Sequence, residues 1–253
     1  MKLEKTEFSL RIHGKEGNFM PTYCLDTYLS VTHSLSPSSK RDIFGIPYIE
    51  KEDFDAMKIG TTYSLIKYNN CTNTPRLYSY KIGHGFMYDK SLLSYLNNPT
   101  RFLTKMGPLA GWATPDVSID MNANPAQAIG IIESVRWLGR LGQEFGQVVF
   151  PTVGWAREEL DYICFAGLRD GSTFFISTLG VKNDICSKNF IRGYKKMRSL
   201  FPNSKIVNVG GKISGMDDDI IFIPYEESFG HQPYQQLKLF NLNKINEGRQ
   251  LNG

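Results

Sequence analysis

The sequence predicts an α/β fold on a mostly parallel sheet, and three observations carry that reading. Short β-branched and aromatic runs alternate with helix-length amphipathic segments from residue 111 onward, and a parallel crossover needs a connection of that length. The runs end in glycine, proline and hydroxyl residues, as strands do when they run out into loops above a sheet. The chain, at 253 residues, is long enough to bury a substantial core in one large domain. A β/α barrel, whole or incomplete, with an irregular N-terminal arm is preferred over an open sheet. The expected organisation is an irregular arm over residues 1–50, an α/β domain over 51–230 and a tail over 231–253.

Taken in order, residues 61–68 and 77–82 read as strands separated by a turn at 69–75, and residues 90–96 read as a short helix. A strand around Trp112 precedes a helix over 125–146, where Ala128, Ile131, Ile132, Val135, Leu138, Leu141 and Phe145 keep helical spacing. Asn124 caps that helix, Pro125 suits its first turn and Gly146 stops it. Further strands are expected at 147–153, 162–165, 173–177, 205–209 and 220–223, with a helix over 187–201.

Composition excludes several classes. Hydrophobic residues at 41% and charged residues at 21% do not describe a disordered chain. A net charge of +4 is too mild to indicate a nucleic-acid partner by itself. The four cysteines, Cys24, Cys71, Cys164 and Cys186, form no C-x-x-C pair and are expected as reduced, largely buried thiols. His13, His33, His84 and His231 lie far apart without zinc-ligand spacing. An N-terminus without a signal-peptide pattern, and no apolar run of membrane-spanning length, give the expectation of a cytoplasmic protein with no membrane partner.

Ligands of parallel α/β proteins bind beyond the carboxyl ends of the strands. Here those ends read Thr114-Pro-Asp-Val-Ser118, Pro151-Thr-Val-Gly-Trp155, Phe165-Ala-Gly167, Ser177-Thr-Leu-Gly180 and Asn208-Val-Gly-Gly-Lys212. Asp116 suits a general acid or base, a metal ligand or a hydroxyl acceptor, against the alternative of an Asx turn shared with Ser118. Asp89 is a second candidate carboxylate, or the N-cap of the helix after it. Ser118, Thr152, Ser177 and Thr178 are hydroxyls that can position a ligand, and Trp155 can stack on a ring or cap the core. Gly210 and Gly211 with Lys212 could contact a phosphate, although the Walker spacing is absent. The run Asp217-Asp-Asp219 could attract a cation or form a solvated turn. The sequence leaves the identity of any cofactor open.

Seven basic residues lie between Ile185 and Met216 with no acid among them: Lys188, Arg192, Lys195, Lys196, Arg198, Lys205 and Lys212. Segment 188–212 is therefore a candidate contact for nucleotide or nucleic acid, or simply the solvated face of an amphipathic helix. On the longer helix, Glu133 with Arg136 and Arg140 with Glu144 are at pairing distance and are expected as surface ion pairs.

The ordered set Thr114-Pro-Asp-Val-Ser118, Phe150-Pro-Thr-Val-Gly-Trp155, Cys164-Phe-Ala-Gly167, Ile176-Ser-Thr-Leu-Gly180, Phe190-Ile-Arg-Gly-Tyr194 and Ile206-Val-Asn-Val-Gly210 resembles domain of unknown function 4417, over roughly residues 80–211. The resemblance implies a bacterial, phage or mobile-element setting and supplies no catalytic assignment. The resulting expectation is an enzyme acting on a nucleotide, a nucleic-acid component or a related phosphorylated small molecule, with Asp116 and Asp89 as the carboxylates. The alternative is a non-catalytic protein that binds nucleic acid, sequesters a nucleotide or inhibits a host defence.

Overall fold

A computed structural model describes residues 29–71 and 78–229. Most of the expected arm, the centre of the 69–75 turn, the tail, Cys24, His13 and His231 lie outside the described residues.

Strands β1 (Ser64–Lys67), β2 (Lys81–Gly85), β3 (Gly111–Pro115) and β4 (Val149–Phe150) form one sheet, and β5 (Thr173–Ser177), β6 (Lys205–Val209) and β7 (Ile221–Ile223) a second. Every ladder is parallel, and in both sheets strand order follows chain order. A parallel bridge between Thr152 and Phe175 links the sheets, with the Val153 N–H donating to Phe175 O at 2.8 Å and the Phe175 N–H to Pro151 O at 3.0 Å.

The seven strands curl. Leu65, Ile82, Ala113, Phe150, Phe175, Val207 and Ile223 take one position from each strand and meet in a single buried cluster. In a flat sheet, strands spaced about 4.8 Å apart would leave β1 and β7 roughly 29 Å from each other. Among the described residues no ladder joins β7 to β1, so the arrangement is an incomplete β/α barrel. The 3-10 turn Tyr225–Phe229 lies against β1 instead, where Lys67 Nζ donates to the Tyr225 hydroxyl at 2.6 Å and Asn70 Nδ2 to Phe229 O at 2.8 Å. His84 on β2 adds a third tie, its Nε2–H donating to Ser228 O at 2.8 Å. Burial holds His84 neutral, pushing its pKa down to about 4.

Helices α1 (Asp89–Asn97) and α2 (Pro99–Met106) carry the chain from β2 to β3, α3 (Pro125–Glu144) from β3 to β4, α4 (Asp161–Cys164) from β4 to β5 and α5 (Asp184–Leu200) from β5 to β6. The expected cap of α3 is present: Asn124 and Gln127 exchange side-chain-to-backbone bonds in a capping box, and Gly146 leaves the helix at φ +74°. Helix α2 was not anticipated, although Pro99 opens it and Phe102, Leu103 and Met106 share its buried face. The strand expected at 162–165 is overturned. Leu160, Ile163 and Cys164 follow helical spacing and pack with Ala128 and Ile132 of α3, so this segment is the helical crossover that the β4–β5 connection requires.

Helix α3 sits close to the sheet because Gly139 and Gly142 face it. A Cβ at Gly142 would lie 2.4 Å from Trp112 Cζ2, and one at Gly139 would lie 2.7 Å from Thr114 Cγ2. Gly142→Ala gains helix propensity of about 1 kcal/mol, but it forces the buried Trp112 ring off its seat. We expect a net loss of about 1–3 kcal/mol in urea unfolding; an unchanged or raised midpoint would show that α3 can lift without cost.

The expected Glu133–Arg136 surface pair is also overturned. Glu133 pairs with His33 and, at 3.3 Å, with Arg41, while Arg136 is fully buried. The Arg140–Glu144 pair forms at 3.8 Å, with both side chains half-buried.

Candidate functional site

The carboxyl ends of β2, β3, β4 and β5, with Tyr225 after β7, enclose a cleft of about 580 Å³. That volume falls within the range of small-molecule sites, roughly 300–1,000 Å³. Asp116, Ser118, Thr152, Trp155 and Ser177, drawn from separate strand ends in the sequence, all line it. Thr178 and Lys212 do not. The Thr178 hydroxyl donates to Gly211 O at 2.8 Å, and Lys212 pairs with Asp218 on the surface.

Asp116 follows the last residue of β3 and is half-buried. Among the described residues its carboxylate accepts no hydrogen bond, so the Asx-turn alternative does not describe it. Ser118 turns instead to Asp89, donating to Oδ1 from both N–H and Oγ at 3.3 Å. Asp89 is accordingly the first residue inside α1 and a tether between two strand-end loops, not the N-cap, which is Tyr88. Burial, reinforced by the like charge of Asp89, pushes the Asp116 pKa up to about 7. A group titrating there can both take and return a proton near neutrality.

The hydroxyls are arranged differently from the simplest expectation. Thr152 Oγ donates to Thr114 O at 2.5 Å, and Ser177 Oγ donates to Val209 O at 3.0 Å while accepting from the Leu179 N–H at 3.2 Å. Both hydroxyl protons hold strand ends together, which leaves these oxygens as acceptors toward the cleft. Donors come from elsewhere. Among the described residues, the N–H groups of Gly154, Trp155 and Gly180, all on the cleft wall, meet no acceptor.

Arg136 also borders the cleft, its Nη1 donating to Thr152 O at 2.9 Å, Nε to Ala166 O at 3.2 Å and Nη2 to Cys164 O at 3.3 Å. Among the described residues no carboxylate pairs with it. Desolvation lowers its pKa only to about 10, so it remains a buried cation bordering the cleft. Sequence reasoning missed this residue, yet a signal was present: Arg136 lies four residues after Ile132 and three before Gly139, on the buried face of α3.

Trp155 packs against the core, its ring centroid 5.0 Å from that of Phe190, and also borders the cleft. Gly193 of α5 makes room for it, since a Cβ there would lie 2.1 Å from Trp155 Cδ1. In an exposed helix, Gly→Ala is stabilising. Here we expect Gly193→Ala to displace the indole, giving a changed Trp155 emission maximum and a melting temperature lowered by several degrees, about 1–3 kcal/mol. An unaltered spectrum would show that the ring is not wedged by this glycine.

Three of the seven cations of the basic segment are paired with carboxylates. Arg192 pairs with Asp161 at 2.5 Å, Arg198 with Asp217 at 2.9 Å and Asp219 at 2.7 Å, and Lys212 with Asp218. Asp217 and Asp219 are thus the counter-charge of Arg198 on α5, and Asp218 that of Lys212 in the loop after β6. Lys188, Lys195, Lys196 and Lys205 remain exposed. Of the cysteines, Cys71 and Cys164 are buried as expected, but Cys186 is exposed in the first turn of α5.

Fold and cleft define the class: a parallel α/β protein with its concave face at the carboxyl ends of the strands. Within that class the chain belongs to the family described as Domain of unknown function (DUF4417), whose model matches residues 38–226. The gene 1 protein of Mycobacterium phage D29 is 30% identical over 100 residues, covering 40% of this chain and 37% of that protein. The gene 1 protein of Mycobacterium phage L5 is 29% identical over 109 residues, covering 43% of this chain and 48% of that protein. The chain therefore spans less than half the length of these phage relatives. No solved structure matches the chain. Among the described residues, no helix is long and apolar enough to cross a membrane.

Proposed function

We propose that the protein is an enzyme that acts on a nucleotide, a nucleic-acid component or a related phosphorylated small molecule, with Asp116 as its general acid–base. The observation that carries this reading is a carboxylate without a hydrogen-bond partner on the wall of a 580 Å³ cleft. A carboxyl kept only to hold a loop would be bonded to that loop. The unpaired N–H groups of Gly154, Trp155 and Gly180, with the buried Arg136 guanidinium bordering the same cleft, favour an anionic group on the ligand. Asp89 acts on Asp116 through its charge and through Ser118, as a positioning residue.

The test is a thermal-shift screen of phosphorylated compounds, followed by turnover assays on those that bind. We expect a stabilising phosphorylated ligand whose conversion is lost in Asp116→Asn while its binding persists. Phosphorylated ligands that fail to bind while uncharged ones bind the cleft would sink the anionic reading.

The four exposed lysines of segment 188–212 favour a second reading, non-catalytic nucleic-acid binding. A double substitution Lys195→Glu, Lys196→Glu would then weaken duplex binding steeply with salt. With three of the segment's seven cations already paired to carboxylates, we expect at most weak, non-specific binding at physiological ionic strength.

A further inference from the structure

The cleft has a side lobe of about 200 Å³ that opens between the end of β4 and the first two turns of α5. Asp116, Gly154, Trp155 and Ser177 border both spaces, so the lobe and the main cleft are continuous. Their chemistry differs. The lobe is walled by Val153, Phe190 and the Trp155 ring, with Asn189 and Cys186 as its further polar groups.

Asn189 is held in one orientation. Arg192 is fixed at two points, its Nη1 donating to the buried Asp161 at 2.5 Å and its Nη2 to Ala156 O at 2.8 Å. From that position its Nε donates to Asn189 Oδ1 at 3.2 Å, which assigns the carbonyl end of the amide. The amide nitrogen is left with only the Met121 sulfur, a weak acceptor, at 3.8 Å. A fixed donor beside aromatic walls is an arrangement that can read the acceptor edge of a heterocycle.

We propose that this lobe is the ring subsite of the cleft, where a nucleobase stacks on Trp155 and presents a carbonyl oxygen or ring nitrogen to Asn189 Nδ2. The proposal rests on the reading of the cleft as a nucleotide-class site and extends it. The sugar and phosphate lie in the larger space, near the N–H groups of Gly154 and Gly180, and the base fills the smaller one. Asn189 is then a specificity-determining residue, oriented by the Asp161–Arg192 pair.

Trp155 supplies the readout. The chain has three tryptophans, and Trp112 and Trp137 are fully buried, so ligand-dependent emission changes report Trp155. Fluorescence and calorimetric titrations of the full chain would use adenosine, guanosine, cytidine and uridine 5′-monophosphates, with ribose 5-phosphate as the ligand lacking a ring. The expected result is at least one monophosphate that quenches Trp155 and binds ten or more times tighter than ribose 5-phosphate. Asn189→Leu should reduce that preference about three- to tenfold and leave ribose 5-phosphate binding unchanged. Asn189→Asp, which replaces the donor by an acceptor, should shift preference toward bases presenting an amino edge. Melting temperatures of both variants check that α5 is intact.

Equal binding of the monophosphates and ribose 5-phosphate overturns the ring subsite but leaves the cleft reading standing. Tight binding without a change in Trp155 emission, or unaltered by both Asn189 variants, also overturns it. If no monophosphate and no ribose 5-phosphate binds, the nucleotide reading falls, and the subsite with it.

Discussion

Asp116→Asn is expected to abolish turnover and, above pH 7, to make the protein more stable. The two effects share one cause. Asp116 titrates at about 7 when folded against an ordinary value of 3.8, so between those values the folded state holds a proton that the unfolded state has released. Stability from this group is therefore fully present below 3.8 and is lost as pH rises through 7. At pH 8 the wild-type protein keeps a desolvated carboxylate beside Asp89, and an amide removes that charge at nearly constant shape. We expect Asp116→Asn to gain about 2 kcal/mol at pH 8, after discounting for partial exposure, or roughly 5 °C in melting temperature, and little at pH 4. Thermal melts of both proteins from pH 4 to 9 check this. A turn-holding aspartate gives the opposite result, a loss of stability at neutral pH.

Replacing Arg136 should have the largest effect on folding. Its guanidinium gathers the carbonyls of Thr152, Cys164 and Ala166, which belong to the end of β4 and to α4 with the residues just after it. Arg136→Met fills similar volume but leaves three inward-facing carbonyls without their donor. Each costs about 1–3 kcal/mol when unsatisfied and buried, so a loss of about 3–5 kcal/mol is expected, roughly 10 °C. Arg136→Lys should recover only part of it, because a single ammonium does not reproduce the planar fork. The measurement is urea unfolding with an unchanged slope. A loss below about 1 kcal/mol would mean that the carbonyls find other partners and that Arg136 does not organise the cleft lining.

Much of this arrangement was legible in the sequence, and the gaps have physical reasons. The parallel α/β class, the capping of α3 and the shared mouth follow from period, caps and strand-end composition, which are local properties. Residues 162–165 misled because a four-residue apolar helix and a short buried strand have the same pattern. Arg136 misled because Glu133 stands one turn away, and pairing distance along a helix does not reveal which partner is buried. The acidic run 217–219 could not be assigned to Arg198 and Lys212 without knowing that the loop after β6 folds back on α5. Thr152 and Ser177 border the cleft, but their hydroxyl protons are directed at backbone carbonyls, a choice only the register of neighbouring strands makes. Asn189 carried no signal, since its orientation depends on Arg192 and Asp161 from different elements.

The central group of the cleft is a strand-end carboxyl left free of its loop and poised near neutrality. A carbon-detected NMR titration of the side-chain carboxyls, with the Asp116 resonance assigned by its absence in Asp116→Asn, measures that group directly. The predicted result is a midpoint near pH 7 that moves down when Asp89→Asn removes the neighbouring charge. A midpoint near 4, unmoved by Asp89→Asn, would show an ordinary surface aspartate and contradict the assignment of Asp116 as the acid–base group of the cleft.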